Sequence, residues 1–273
     1  MTTTALRGDE SRAIEVGRIT EIRALVVVPT FEEAQNIERV LRAIHAEAPG
    51  LDVLVVDDNS PDGTAQIAER IGRELGHVEV LRRPGKGGLG AAYRAGFAVG
   101  LARGYDVLVE MDADLSHDPR SLLALLRGVD LGADLVIGSR YVAGGSIPRW
   151  SRRRRALSRF GNAYAARMLR VGASDLTSGY RAVRAEMLRR VDYDATEATG
   201  YAFQIELAYR VARGGGRIAE VPIVFNDRTH GDSKMSTRIT LEALALVTWW
   251  GVRDRLPGLR RAGREVASVP SGA

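Results

Sequence analysis

The chain of 273 residues has no cysteine, which removes disulfides, thiolate metal sites and a cysteine nucleophile together. Histidine is scarce too. Its four copies, at 45, 77, 117 and 230, show no metal-ligand spacing, so a histidine-based zinc site is not expected. Long hydrophobic runs are missing: the most apolar segment, Ile239 to Val252, is broken by Glu242 and falls short of the ~20 residues a spanning helix needs. The opening M-T-T-T-A-L-R-G-D-E lacks the apolar centre of a signal peptide, which argues against secretion. There is no G-x-x-x-x-G-K-[ST], and so no support for a P-loop nucleotidase. A reducing, cytoplasmic setting fits these absences.

What is present is ordinary for a globular protein, 45% hydrophobic and 27% charged. The net charge of +5 favours an anionic partner, whether nucleotide phosphate, nucleic acid or an acidic membrane surface. Residues 1–20 and 256–273 read as flexible tails around a single domain, 21–255. Within it, the apolar runs R-A-L-V-V-V-P, D-V-L-V-V-D-D, V-E-V-L, D-V-L-V-E-M-D and D-L-V-I-G-S-R alternate with amphipathic stretches at 33–47, 64–75, 90–102 and 119–129. That series predicts an α/β fold, a mostly parallel sheet flanked by helices. After Arg140 come a glycine-rich loop, a very basic helix from S-R-R-R-R, a helix near 203–212, the strand R-I-A-E-V-P-I-V-F and a last helix from about 236.

In open parallel sheets, ligands bind beyond the carboxyl ends of the strands. Three expected strands end in acidic loops: P-T-F-E-E (29–33), D-D-N-S-P-D-G-T (57–64) and M-D-A-D (111–114). Asp58 and Asn59 could simply form a turn, and Asp62 could cap the next helix. The D-x-D pair is harder to explain that way. If the strand continues extended, Asp112 and Asp114 lie on one side of it. At about 4 Å apart they would repel by roughly 4 kcal/mol in an effective dielectric near 20. A cation between them would relieve this, and all-oxygen ligands suit Mg²⁺ or Mn²⁺ completed by water and phosphate oxygens. Asp118 and Pro119 then read as N-cap and first position of the following helix.

A competing signal is G-K-G-G-L-G (85–90), which fits G-x-G-x-x-G, follows a strand and opens a helix, with Asp112 downstream as a ribose-binding acid. It would make the protein an NAD-dependent dehydrogenase. Against that, the motif follows the third strand rather than the first, and the acidic residue comes as a pair.

The ordered set P-T-F-E-E, V-D-D-N-S-P-D-G-T, D-A-D-L-S-H, G-S-R-Y, D-L-T-S-G-Y-R-A, G-Y-A-F-Q-I-E-L and V-P-I-V-F-N-D-R-T-H-G-D-S-K-M resembles the dolichol-phosphate (polyprenol-phosphate) mannose synthases. These are inverting family 2 glycosyltransferases of GT-A (Rossmann-like) fold, with C-terminal acceptor and interface helices. The resemblance runs from about Arg23 to Trp250. It implies that Pro29, Phe31, Glu33, Val56 and Asp58 hold the guanosine part of GDP-mannose, and that Asp112, Ala113 and Asp114 meet its ribose, metal and diphosphate. Arg140, Arg154 and Ser158 would receive the lipid phosphate, and Arg228 and Lys234 would close over the phosphates. Ser116 stands where many members have a glutamine that completes the metal site, so it is the candidate third metal contact.

That resemblance implies transfer of mannose to a polyprenyl phosphate, a nucleophile already ionised at neutral pH, which explains why no general base is evident. UDP-sugar transfer to the same lipid, or a non-catalytic anion-binding module, are the remaining alternatives. The basic helix, with apolar Leu157, Phe160, Tyr164 and Met168 near helical spacing and Trp249 and Trp250 on the last helix, suits an anionic membrane surface better than nucleic acid. Peripheral attachment at the cytoplasmic face, alone or through a separate membrane-anchor protein, is the expected location.

Overall fold

The computed structural model describes residues 22–256 except 197, 199 and 227–236. Seven strands are described: β1 (Ala24–Thr30), β2 (Asp52–Asp57), β3 (Val78–Arg82), β4 (Val107–Glu110), β5 (Leu135–Ser139), β6 (Arg181–Arg184) and β7 (Ile218–Pro222). The helices are α1 (Ile37–Glu47), α2 (Thr64–Leu75), α3 (Leu89–Ala102), α4 (Leu122–Asp130), α5 (Arg152–Leu169), α6 (Ala185–Arg190), α7 (Tyr201–Arg213) and α8 (Thr237–Arg255). One sheet runs β3-β2-β1-β4-β6-β5-β7, parallel except for β6, which is antiparallel to both its neighbours.

The apolar runs explain this burial. Along β1, Ala24, Val26 and Val28 enter the core beneath α1, α2 and α4, while Leu25 and Val27 enter the core shared with α3 and α7, as strand alternation demands. β1 therefore needs apolar residues on both sides, and V-V-V supplies them. On α3, a Cβ at Gly96 would collide with Val27 and one at Gly100 with Leu108, so these glycines let the helix lie unusually close to the sheet. Those contacts belong to the same helix that G-K-G-G-L-G opens. Gly88, at φ 83, forms its N-cap, and Gly90 packs against the Phe203 ring. The glycines thus serve a turn and close packing beside the edge strand β3, not a dinucleotide loop at the first strand.

Because β2 and β4 flank β1, the chain order reverses direction across β1, and the loops after β1 and β4 open a crevice there. The expected elements are found close to their predicted limits, with four differences, one of them the short helix α6, which was not expected. α1 begins at Ile37 because residues 33–36 form a preceding turn, with Asn36 N and Ile37 N both donating to Glu33 O. Residues 119–121 form a 3-10 turn ahead of α4, capped by Asp118 as expected. The last is β6, an unexpected central strand of four residues with arginine at each end.

Helices α5 and α8 pack together, with Tyr164 Oη 2.6 Å from Thr248 Oγ1. Leu157 and Phe160 are 68% and 69% exposed, and Trp249 is 51% exposed. The expectation that Trp250 is a surface anchor is corrected. It is only 7% exposed and stacks on Tyr209 at 5.9 Å, inside the core. Tyr164 and Met168 also pack against that core. Among the described residues no helix is long and apolar enough to cross a membrane.

Candidate active site

The donor-side candidates meet where β2, β1 and β4 end side by side. Asp57 fastens the ends of β1 and β2, accepting from Thr30 Oγ1 at 2.9 Å and Ser60 N at 2.9 Å. Asp62 accepts from Thr64 N at 3.1 Å and Ala34 N at 3.0 Å, so it is the structural tie between the first two loops. Asp58 is different: its carboxylate meets Arg83 Nη1 at 2.5 Å and Gly87 N at 2.9 Å. Phe31 carries Lys86 Nζ 4.0 Å above its ring, an arrangement favoured by the ring quadrupole. Glu33 Oε2 accepts from Asn36 Nδ2 at 2.8 Å. Pro29, the last residue but one of β1, lies beside Val56, which is fully buried and presents its side chain to the core. Sequence reasoning missed Arg83 and Lys86, because their partners lie 25 residues or more away in the chain.

The D-A-D segment is not an extension of the strand. β4 stops at Glu110, and the chain turns at Ala113 and Asp114, with Leu115 in the left-handed region at φ 63. Asp112 and Asp114 therefore do not share one strand face; the period-two argument fails because a turn intervenes. Asp114 is buried, and its Oδ1 accepts from Ser116 N at 3.0 Å. The Asp112 side chain keeps 27% of its surface open. Beside it, His117 Nδ1 accepts the Asp112 amide at 3.1 Å, which puts the proton of a neutral ring on Nε2, 3.9 Å from Asp112 Oδ2. The ring stacks on Tyr180 at 4.9 Å.

Do these residues fit a divalent cation? Among the described residues, no group of three or more His, Cys, Asp or Glu side chains could hold a metal alone. Ser116 Oγ, however, is buried without a hydrogen-bond partner, two residues from the buried carboxylate of Asp114. An orphaned hydroxyl beside a carboxylate and a second, more open carboxylate form a hard, oxygen-only set. It suits Mg²⁺ or Mn²⁺ that takes its other ligands from water and phosphate.

Beneath this turn lies a pair the sequence reading overlooked. Glu110 and Arg181 face each other across β4 and β6, both wholly buried. Burial pushes the Glu110 carboxyl up to about 7, against the opposing pull of the Arg181 charge. Arg181 donates to the carbonyls of Ser178 at 2.7 Å, Leu176 at 2.6 Å and Gln204 at 2.6 Å. It thereby fastens the loop that precedes β6. That loop abuts the acidic turn: a Cβ on Gly179 would stand 3.6 Å from Asp112 Oδ1.

On the acceptor side, the structure brings Arg140, Arg154 and Ser158 to one cluster. Arg140 leaves β5 and donates from Nε and Nη2 to Asp175, each at 2.7 Å, and from Nη2 to Thr177 Oγ1 at 2.8 Å. Asp175 is in turn fixed through its amide, which donates to Glu220 Oε1 at 3.0 Å. Arg154, Ser158 and Asn162 recur every fourth residue on α5 and so share a face. Asn162 Nδ2 reaches Thr177 Oγ1 at 3.1 Å, which locks that face to the Arg140 cluster. Arg154 lies 3.9 Å above the Trp150 ring, whose other neighbours include Arg140 at 5.6 Å. Arg228 and Lys234 fall outside the described residues.

Asp175 was quoted in a motif but given no role by sequence; only the fold shows that it opposes Arg140. Replacing it with asparagine should cost about 2 kcal/mol of stability, because the buried guanidinium keeps its charge but loses its counter-ion and one of its two carboxylate acceptors. Urea denaturation of the two proteins checks this. An unchanged midpoint would mean that the pair contributes nothing to the fold.

A doubly flanked sheet with an oxygen-rich acidic turn at its reversal point and a basic cluster beyond it is the architecture of a GT-A glycosyltransferase. The profile of the family described as "Glycosyl transferase family 2" matches residues 25–192. The chain belongs to that family, among its polyprenol-phosphate mannose synthases. It is 48% identical over 239 residues to "Polyprenol monophosphomannose synthase" of Mycolicibacterium smegmatis, covering 87% of this chain and 90% of that protein. It is 50% identical over 239 residues to "Undecaprenyl-phosphate mannosyltransferase" of Micrococcus luteus, covering 88% and 98%. Among solved structures, glucosyl-3-phosphoglycerate synthase from Mycobacterium tuberculosis with Mn²⁺, UDP-glucose and phosphoglyceric acid aligns with TM-score 0.65 at 21% identity, over 92% of this chain and 86% of that one. That likeness bears on the fold, and it agrees with the GT-A reading rather than a dehydrogenase.

Proposed function

We propose that the protein transfers mannose from GDP-mannose to the phosphate of a polyprenyl phosphate with inversion, giving β-mannosyl phosphoryl polyprenol and GDP. The observation that carries the reading is the closeness of two unlike sites: the loop before β6 holds Arg140 through Asp175 and, at Gly179, comes so near the acidic turn that an added Cβ would stand 3.6 Å from Asp112 Oδ1. Near-half identity to two polyprenyl-phosphate mannose enzymes supports the sugar and the lipid.

The acceptor is a phosphate monoester, largely dianionic at neutral pH because its second pKa lies near 6. One of its oxygens attacks the anomeric carbon from the side opposite the leaving group; the new C–O bond forms as the bond to the diphosphate oxygen breaks, and that oxygen takes the electron pair. No proton moves. The protein's work is then orientation and charge compensation. Arg140, Arg154 and Ser158 orient the phosphate, while Phe31, Glu33 and Asp58 hold the nucleoside. When bound at Asp112, Asp114 and Ser116, Mg²⁺ or Mn²⁺ supplies neutralisation of charge on the departing diphosphate. Arg228 and Lys234 complete the phosphate contacts.

Helix α5 also meets the membrane in this reading. Its exposed Arg152 and Arg153 suit anionic headgroups, and its exposed Leu157 and Phe160, with Trp249 of the neighbouring α8, suit the interface. At about 1 kcal/mol per basic residue, that is a reversible attachment of a few kcal/mol.

The test is transfer of label from GDP-mannose into the organic phase with a polyprenyl phosphate and Mg²⁺ or Mn²⁺, with UDP-glucose in parallel. Transfer from GDP-mannose with a β-linked product is expected. Transfer from UDP-glucose alone would change the donor, and an α-linked product would overturn direct displacement.

A further inference from the structure

We infer that Tyr141 is a positioning residue for the acceptor phosphate, holding Ser158 as a hydrogen-bond donor through its phenol. The inference rests on the acceptor site proposed above. Tyr141 directly follows Arg140, and its hydroxyl donates to Ser158 Oγ at 2.6 Å. A serine inside a helix commonly spends its own proton on the carbonyl one turn earlier. Among the described residues Ser158 makes no such bond: its Oγ accepts from Tyr141, and its carbonyl accepts from Asn162 Nδ2 at 3.0 Å.

A hydroxyl has one proton and two acceptor lone pairs. With Tyr141 filling an acceptor position, the Ser158 proton is left to be given, and the chained arrangement strengthens it as a donor. A phosphate dianion offers only acceptors, so a serine held in the donor sense is the form it can use. The Tyr141 ring adds to this. Arg140 lies 5.4 Å and Arg159 5.3 Å from its centroid, so one side chain gathers two cations beside Ser158. Arg159 thereby joins the set of cations able to approach the acceptor. Tyr141 closes the G-S-R-Y motif, but the motif gives its phenol no role, since its partner is 17 residues away on another element.

Tyr141→Phe separates these roles, because it keeps the ring under both arginines and deletes only the phenol. The probe is a short-chain prenyl phosphate, followed by calorimetric binding and, with GDP-mannose, by turnover. The variant should raise the acceptor Kd and KM about tenfold, the scale of one charge-assisted hydrogen bond, with GDP affinity unchanged. Ser158→Ala should do the same, and the double variant should be no worse than Ser158→Ala alone, since the phenol acts through the serine. Multiplying effects in the double variant, an unchanged single variant, or equal loss of GDP affinity would each overturn the inference. If the wild type binds the prenyl phosphate but does not transfer mannose, the donor assignment fails and the comparison is completed on binding alone. If it binds no prenyl phosphate, the acceptor site and the inference fall together.

Discussion

Asp114→Asn is expected to lower kcat for mannosyl transfer by about 10²–10³, the scale of removing one preorganised electrostatic group. The fold should tolerate the change. Asparagine keeps the size of the side chain, and its Oδ1 can still accept from Ser116 N, the bond that shapes the turn at 3.0 Å. What disappears is the negative charge, and with it the attraction for a divalent cation beside the leaving diphosphate. GDP-mannose binding should weaken less than kcat falls, because most of the nucleoside contacts proposed above lie on the loops after β1 and β2. Steady-state kinetics over a range of Mn²⁺ concentrations separates the outcomes. A rate within about threefold of wild type would remove Asp114 from the reaction.

How much of this was readable beforehand differs between the two sides of the site. The parallel strands were legible because β1, β2, β4 and β5 are buried on both faces and therefore carry uninterrupted apolar runs. The proposed donor residues could be named because they sit within a few positions of those strand ends. β6 was not: R-A-V-R is too short for periodicity, and its arginines look like surface residues until the fold places Arg181 at full burial. The D-x-D geometry was misread for a local reason, since a left-handed residue such as Leu115 leaves no periodic trace. On the acceptor side, Arg140 could be named through the G-S-R-Y resemblance. Its counter-ion Asp175, 35 residues on, could not be named without the sheet order that brings the two together.

Arg181 is where these two sides depend on one another, and its removal should have the largest effect on stability. Arg181→Met roughly preserves length but leaves three carbonyls without their donor and Glu110 without the opposing charge. Losing one partner of a buried ionic arrangement typically costs about 3–5 kcal/mol. Such a loss takes a large share of a domain's stability, so poor yield of folded protein is expected. Glu110→Gln should act in the opposite sense and does not depend on recovering the first variant. The folded pKa of Glu110, about 7, lies above its ordinary 4.5, so the native state binds more protons than the unfolded chain between those values. The stability that Glu110 contributes is therefore complete below about 4.5 and is lost as pH rises through about 7. Glutamine removes that slope. Urea denaturation with a chelator present should show wild type losing stability from pH 5 to pH 8 relative to Glu110→Gln, and the double variant should recover part of what Arg181→Met loses. If Arg181→Met unfolds at the wild-type midpoint, the arginine is not what fastens residues 176–178. The approach of Gly179 to Asp112 would then need another cause.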